Sequence, residues 1–217
     1  IACHSADLVV NIPQIDVVVE CTGVPEVGAN TCQKAIFGRK HVVNMNVETD
    51  CTVGYYLASL AKAAGVVYTL TAGDEPGTTR ELYDFADALG FEIVTIVKGK
   101  NNPLDQTANP DTLAERAKRQ NASAKMLASF VDGTKTMVEM TDMGNSTGFV
   151  PDVRGGHGPT ITVKDMARVY VPESDGGVMS AKYRVDYAVG DVAPGVFVVI
   201  TTDQPKIMAD LRYLKVN

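Results

Sequence analysis

The first hundred residues alternate between short apolar runs rich in β-branched residues and longer segments whose apolar positions fall three and four apart. That is the pattern of strands alternating with amphipathic helices. Residues 16–20 (DVVVE) predict a strand, and a run this apolar predicts one buried on both faces. Pro25 stands where a helix can begin, residues 26–37 continue it and Gly38 closes it. The next strand spans 41–46 (HVVNMN). Thr49 or Asp50 caps a helix that runs through Tyr55, Leu57, Leu60 and Ala64 to Gly65. Residues 66–71 (VVYTLT) give a third strand and 72–77 (AGDEPG) a loop. Thr78 or Thr79 caps a helix carrying Leu82, Phe85, Ala86 and Leu89, which Gly90 ends, and 91–97 (FEIVTIV) form a fourth strand.

This alternation predicts right-handed crossovers and a largely parallel sheet. Beyond residue 100 the pattern changes. Residues 101–110 are turn-rich, 111–119 predict a short helix capped by Asp111, and 125–143 predict one long helix or a pair. Residues 144–159 are rich in Gly and Pro and predict an ordered loop or lid, ending Arg154-Gly155-Gly156-His157-Gly158-Pro159. A second mixed region starts at Thr160, with strands at 183–189 and 196–201 around a turn at 190–195. Residues 214–217 carry no terminal signal.

The expected fold class is α/β. Residues 1–72 read as the C-terminal part of a Rossmann-type, dinucleotide-binding parallel sheet, and 73–217 as an α+β catalytic or substrate domain. Only fifteen residues precede the first strand, too few for the strand, crossover helix and strand of a complete mononucleotide unit. The chain therefore reads as a fragment, cut at both ends.

Composition narrows the classes of partner. The net charge is −6 with no basic stripe, so nucleic acid is not an expected partner. No apolar run reaches the roughly 18 residues of a membrane span, so no membrane is expected either. Cys3, Cys21, Cys32 and Cys51 form no CxxC pair and, with His4, His41 and His157, no zinc signature. Free thiols in a reducing cytoplasm fit this spacing.

In a parallel α/β sheet, ligands bind beyond the carboxyl ends of the strands. Those ends are 21–23, 44–48, 73–75 and 98–102, each polar, charged or Gly-bearing after an apolar strand. Cys21, Thr22 and Gly23 form a turn where backbone can approach a flat ring, or simply a strand-to-helix turn. Asn44 and Asn46, around Met45, bring two amides that orient a carboxamide or cap a loop. Gly73 precedes the paired carboxylates Asp74 and Glu75, suited to substrate hydroxyls, a metal or proton transfer, or else to the dipole of the following helix. Lys98 and Lys100, followed by Asn101 and Asn102, can polarise a carbonyl or hold phosphate. Lys135 and Glu139 share a helix face four residues apart, with Asp132 nearby, either as a surface ion pair or as an aligned catalytic lysine. His157 in the Gly-rich loop is a candidate substrate contact or a structural residue.

Five segments carry a resemblance: VVVECTGVPEVGA, KHVVNMNVETD, AGDEPGTTRELYDFADALGFEIV, KGKNNPLD and SFVDGTKTMVEM. Together they resemble the homoserine-dehydrogenase-like oxidoreductases and, within them, the deoxyxylulose-phosphate reductoisomerase-like branch, over Val17 to Val216. The resemblance implies NAD(P)H-dependent chemistry at the carbonyl of a small-molecule substrate. In that branch it implies rearrangement of deoxyxylulose phosphate and reduction to methylerythritol phosphate, for isoprenoid synthesis; the alternatives are a dehydrogenase of a semialdehyde or sugar acid, or a non-catalytic binding or assembly domain. NADP is favoured over NAD, and a homo-oligomer is the expected assembly. Lys98, Lys100 or Lys135 is then the group that polarises or protonates the carbonyl oxygen, with Asp74, Glu75 and Asp132 tuning it. Two departures matter. Where homoserine dehydrogenases end a strand in Thr-Ala-Asn-Lys, this chain reads Asn44-Met45-Asn46-Val47. The metal-binding motifs of deoxyxylulose-phosphate reductoisomerases are absent, so a metal requirement does not carry over.

Overall fold

The structure, a computed structural model, describes residues 2–215. The last two residues of the 214–217 stretch lie outside them. The chain divides into two compact units, Ile1–Gly77 and Thr78–Asn217. Among the described residues no helix is long and apolar enough to cross a membrane.

The first unit runs α1 (Ala6–Asn11), β1 (Val17–Glu20), α2 (Pro25–Phe37), β2 (His41–Asn44), α3 (Val47–Ala64) and β3 (Tyr68–Leu70). The strands pair in the order β1-β2-β3, all parallel, with Val18 beside Val42 and Val42 beside Tyr68. Val18 and Val42 pack with Val10, Cys32, Ile36, Leu57 and Ala61 from the three helices. Those helices cover one face of the sheet. The expected double-sided burial of β1 is therefore corrected: Val17 and Val19, on the opposite face, are 48% and 56% exposed. Pro25 occupies the first turn of α2, and Gly65 closes α3 in the left-handed conformation, both as the sequence predicts. The cap of α3 differs. Asn46 sits ahead of Thr49 and its side chain accepts from the Thr49 amide at 3.3 Å. A short side-chain acceptor at that point draws the backbone out of the strand, so β2 ends at Asn44.

Helix α4 (Glu75–Ala88) starts inside the expected 72–77 loop. Pro76, with its φ already helical, and the acidic Glu75 both suit a first turn, which leaves Thr78 and Thr79 within the helix. The second unit continues with β4 (Glu92–Gly99), α5 (Ala114–Arg119), α6 (Ala124–Val131), α7 (Thr134–Thr147), β5 (Val150–Pro151), β6 (Thr160–Thr162), α8 (Met166–Val169), β7 (Arg184–Asp191), β8 (Val196–Thr201) and α9 (Pro205–Tyr213). Its sheet has the order β5-β7-β4-β8, with β6 also on β7. β4 runs parallel to β7 and antiparallel to β8. This corrects the expectation that residues 91–97 add a fourth strand to the first sheet. The strand is longer than expected and Lys98 lies within it. One apolar cluster joins Ile93 and Ile96 to Met140 and Met143 of α7. Another joins Val94 and Val97 to Met166 of α8 and to Tyr170. Both faces of β4 are thus covered.

Three local details refine the sequence reading. Gly133, at φ 92°, breaks residues 124–147 into the pair α6 and α7. Helix α7 outlasts its expected end and stops at Gly148, so the Gly-rich loop starts later. Helix α5 follows Leu113 with no side-chain cap, so Asp111 does not cap it; Asn109 Oδ1 instead takes the amides of Asp111 and Thr112 at 3.0 Å each in the turn before the helix.

Candidate functional site

The end of β4 carries Lys98 and, just beyond it, Lys100, two residues apart and so on one face. That face meets α6 and α7. Lys98 forms an ion pair with Glu139 of α7, and both side chains are sealed, 7% and 3% exposed. Lys135, one turn earlier on α7, lies 3.9 Å from the other Glu139 oxygen and is 17% exposed. The fold thus brings Lys98, Lys135 and Glu139 into one cluster. Gly133 makes this possible, because its turn lets α7 start just before Lys135.

Lys100 is used differently. Its Nζ donates to the carbonyls of Asn102 and Phe130, both at 2.7 Å. Phe130 lies in the last turn of α6, where carbonyls lack helical partners and a cation is favoured. Burial pushes the Lys100 ammonium's pKa down, the Lys98 charge adds to this, and Asp132 opposes it. Asn102 accepts from Arg116 at 3.1 Å, Asn101 is exposed, and Asp132 accepts from the amide of Thr134 at 2.7 Å. Lys100 and Asp132 therefore brace the cluster from outside it.

The Gly-rich loop is ordered by two acids. Asp186 of β7, fully buried, accepts the amides of His157 and Gly158 at 3.0 and 3.2 Å. Burial pushes its carboxyl pKa up, and these bonds oppose the shift. Asp152 accepts from the Ser180 amide and from Arg184, each at 2.9 Å, and sits 2.9 Å from His157 Nε2. His157 is thereby tied into the loop's own network.

In the first unit the strand ends make a second edge. Cys21, Thr22 and Gly23 are exposed after β1. Glu20, 2% exposed, accepts the Thr22 amide at 2.8 Å and fixes this turn. Gly23 has φ 67° and open space where a side chain would stand. Asn44 spends its amide internally, on the backbone of Asn46 and the hydroxyl of Tyr68. Met45 is 53% exposed beside it, while Asn46 is buried. Gly73 is exposed at φ 92°, and Asp74 and Glu75 are half-buried.

Glu20, Arg116, Asp152 and Asp186 were not legible as site-shaping residues. Only Glu20 gives a signal in sequence, as a carboxylate closing an apolar strand. Chemically, the second unit offers an ammonium held by a carboxylate among apolar side chains. Such a preorganised donor stabilises a developing oxyanion.

Residues 73–217 match the family described as Oxidoreductase DRL, catalytic domain. Comparison with curated proteins finds no match. Among solved structures, the chain is similar to a protein from Archaeoglobus fulgidus assigned as a homoserine dehydrogenase. The identity is 24% and the TM-score 0.47, over 67% of this chain and 48% of that one. It is also similar to the homoserine dehydrogenase of S. aureus, at 17% identity and TM-score 0.44, over 67% and 35%. A third similarity is to a biliverdin reductase from Synechocystis, solved with biliverdin and NADP+, at 20% identity and TM-score 0.31, over 49% and 34%. The chain spans less than half the length of each of these proteins. By its match over residues 73–217, the chain belongs to the oxidoreductase DRL catalytic-domain family.

Proposed function

We propose that this chain is part of an NAD(P)H-dependent oxidoreductase that acts at a carbonyl, in the manner of a reductoisomerase. The observation that carries this reading is the buried Lys98–Glu139 pair with Lys135 beside it. Lys135, the more accessible cation of the two, donates to the carbonyl oxygen and gives it a proton as negative charge builds there. Glu139 orients Lys135. Lys98 compensates the Glu139 charge, which burial alone would make costly. Asp74 and Glu75 are the groups for substrate hydroxyls.

Residues 1–72 are proposed as the C-terminal part of a dinucleotide-binding domain and 73–217 as the catalytic domain. The open turn at Gly23, the exposed Thr22 and Met45, and three parallel strands ending on one edge fit a nicotinamide nucleotide. When bound, that nucleotide supplies the hydride. Thr22, Gly23 and Met45 would hold it, with Glu20 fixing the turn. NADP is the favoured form, and the solved biliverdin reductase carries NADP+. The proposed substrate is deoxyxylulose phosphate and the product methylerythritol phosphate. The free cysteines support a reducing, cytoplasmic setting.

The test is a nicotinamide fluorescence titration of the full-length protein with NADPH and NADH, followed by deoxyxylulose phosphate. Binding with substrate-dependent oxidation supports the proposal. Binding without oxidation rejects this substrate and redirects the search to sugar acids and semialdehydes. Failure to bind either nucleotide rejects the nicotinamide reading.

A further inference from the structure

Tyr187 stands beside Lys98. The two are register partners on the parallel strands β7 and β4, and neighbouring strands lie about 4.8 Å apart. Both side chains rise on the face that α7 covers. Lys98 pairs with Glu139 of α7, and Tyr187 packs with Met140 and Met143. Tyr187 is 5% exposed. A tyrosine hydroxyl buried this deeply ordinarily finds an internal partner. That of Tyr170 does so, donating to the Tyr187 carbonyl at 2.6 Å. The Tyr187 hydroxyl makes no hydrogen bond among the described residues, and it is not sealed off, so the little exposure the side chain keeps reaches it.

The Gly-rich loop is shaped around this phenol. Gly156 and Gly158 have φ 67° and 54°. A methyl on Gly156 would come within 3.0 Å of the Tyr187 ring, and one on Gly158 would collide with its hydroxyl end. The same loop ties the His157 ring to Asp152 and the His157 amide to Asp186. The loop thus holds its imidazole in place and leaves the phenol open. Burial and the Asp186 charge push the Tyr187 pKa up. At neutral pH the phenol therefore keeps its proton and acts as a donor.

We propose that the Tyr187 hydroxyl is a second donor of the candidate site, binding a substrate hydroxyl on the carbon next to the carbonyl that Lys135 serves. This rests on the carbonyl chemistry assigned above to Lys98, Glu139 and Lys135. Two donors from different elements, one charged and one neutral, suit two vicinal oxygens. The ammonium meets the oxygen on which negative charge builds, and the phenol meets the one that stays a hydroxyl. Tyr187 thereby selects an α-hydroxy carbonyl compound over a plain ketone or aldehyde.

The test is calorimetric titration of the full-length protein and its Tyr187→Phe variant with deoxyxylulose phosphate and with its analogue lacking the hydroxyl beside the carbonyl. NADP+ is present throughout, because it cannot give a hydride. Tyr187→Phe is expected to raise the Kd for deoxyxylulose phosphate at least about fivefold and to leave that for the analogue within about twofold. Removing a hydroxyl with no internal partner is also expected to leave the urea midpoint no lower. A variant that binds deoxyxylulose phosphate as the parent does overturns the proposal. So does equal weakening of both ligands, or a lowered urea midpoint, either of which shows a structural hydroxyl. A parent protein that binds neither ligand fails the reductoisomerase reading and this proposal together. NADPH oxidation at the same kcat/KM by parent and variant leaves that reading standing and removes Tyr187 alone.

Discussion

The ammonium of Lys98 in β4 meets the carboxylate of Glu139 in α7, and neither side chain has more than 7% exposure. The end of a strand and a helix separated from it by α5 and α6 thus share a buried charge pair. Removing one partner of such a pair strands the other, at a cost of about 3–5 kcal/mol. Lys98→Met is expected near the lower end, because Lys135 remains 3.9 Å from Glu139. Lys98→Met with Glu139→Leu is expected to cost less than the sum of the single changes. Urea unfolding of the four proteins of this cycle measures the coupling.

Gly28 in α2 faces a crowded polar spot. A methyl there would come within 2.7 Å of Thr49 Oγ1, 2.8 Å of Glu20 Oε2 and 2.9 Å of Asn46 Nδ2. All three residues are at most 2% exposed and have little room to yield. Gly28→Ala is expected to destabilise by about 1–3 kcal/mol despite its better helix propensity, read as a fall in the urea midpoint.

The four thiols should separate by reactivity. Burial pushes the Cys32 thiol up to about 12, with the charges of Glu20 and Asp50 adding to it. Cys3 and Cys21 are exposed. The thiolate is the reacting form. Alkylation at neutral pH followed by peptide mass analysis is expected to label Cys3 and Cys21 and leave Cys32 unmodified until the protein unfolds.

Asp152 gives a pH dependence of known sign. Burial raises its carboxyl pKa, but the bonds from Ser180, His157 and Arg184 together outweigh that and hold it well below the usual 3.8. A depressed acid stabilises the fold above its unfolded value and loses that contribution as pH falls below it. Stability is expected to drop as pH falls through about 4, and Asp152→Asn should flatten that drop while costing stability at neutral pH. Urea midpoints at about pH 6 and about pH 3 for both proteins check this.

Local signals carried much of this fold. Pro25 and Gly65 each fix a backbone conformation by themselves, so the start of α2 and the end of α3 were readable, whereas the sequence left residues 125–143 open between one helix and a pair and the break falls at Gly133. Sheet membership was not readable. Residues 92–99 look like any buried strand, and their pairing with β7 and β8 depends on segments about a hundred residues away. The site divides the same way. Lys135 and Glu139 stand four apart on one helix and could be paired from sequence. The claim of Lys98 on Glu139, the bracing role of Lys100 and the hold of Asp186 on the loop all need tertiary packing to appear.

The most direct measurement is steady-state NADPH oxidation by the full-length protein and its Lys135→Ala variant, with deoxyxylulose phosphate as substrate. Lys135 is assigned to the carbonyl and not to the nucleotide. The kcat of the variant is therefore expected to fall by at least about a hundredfold with NADPH affinity unchanged. A loss of less than about tenfold, with circular dichroism showing an intact fold, would contradict it.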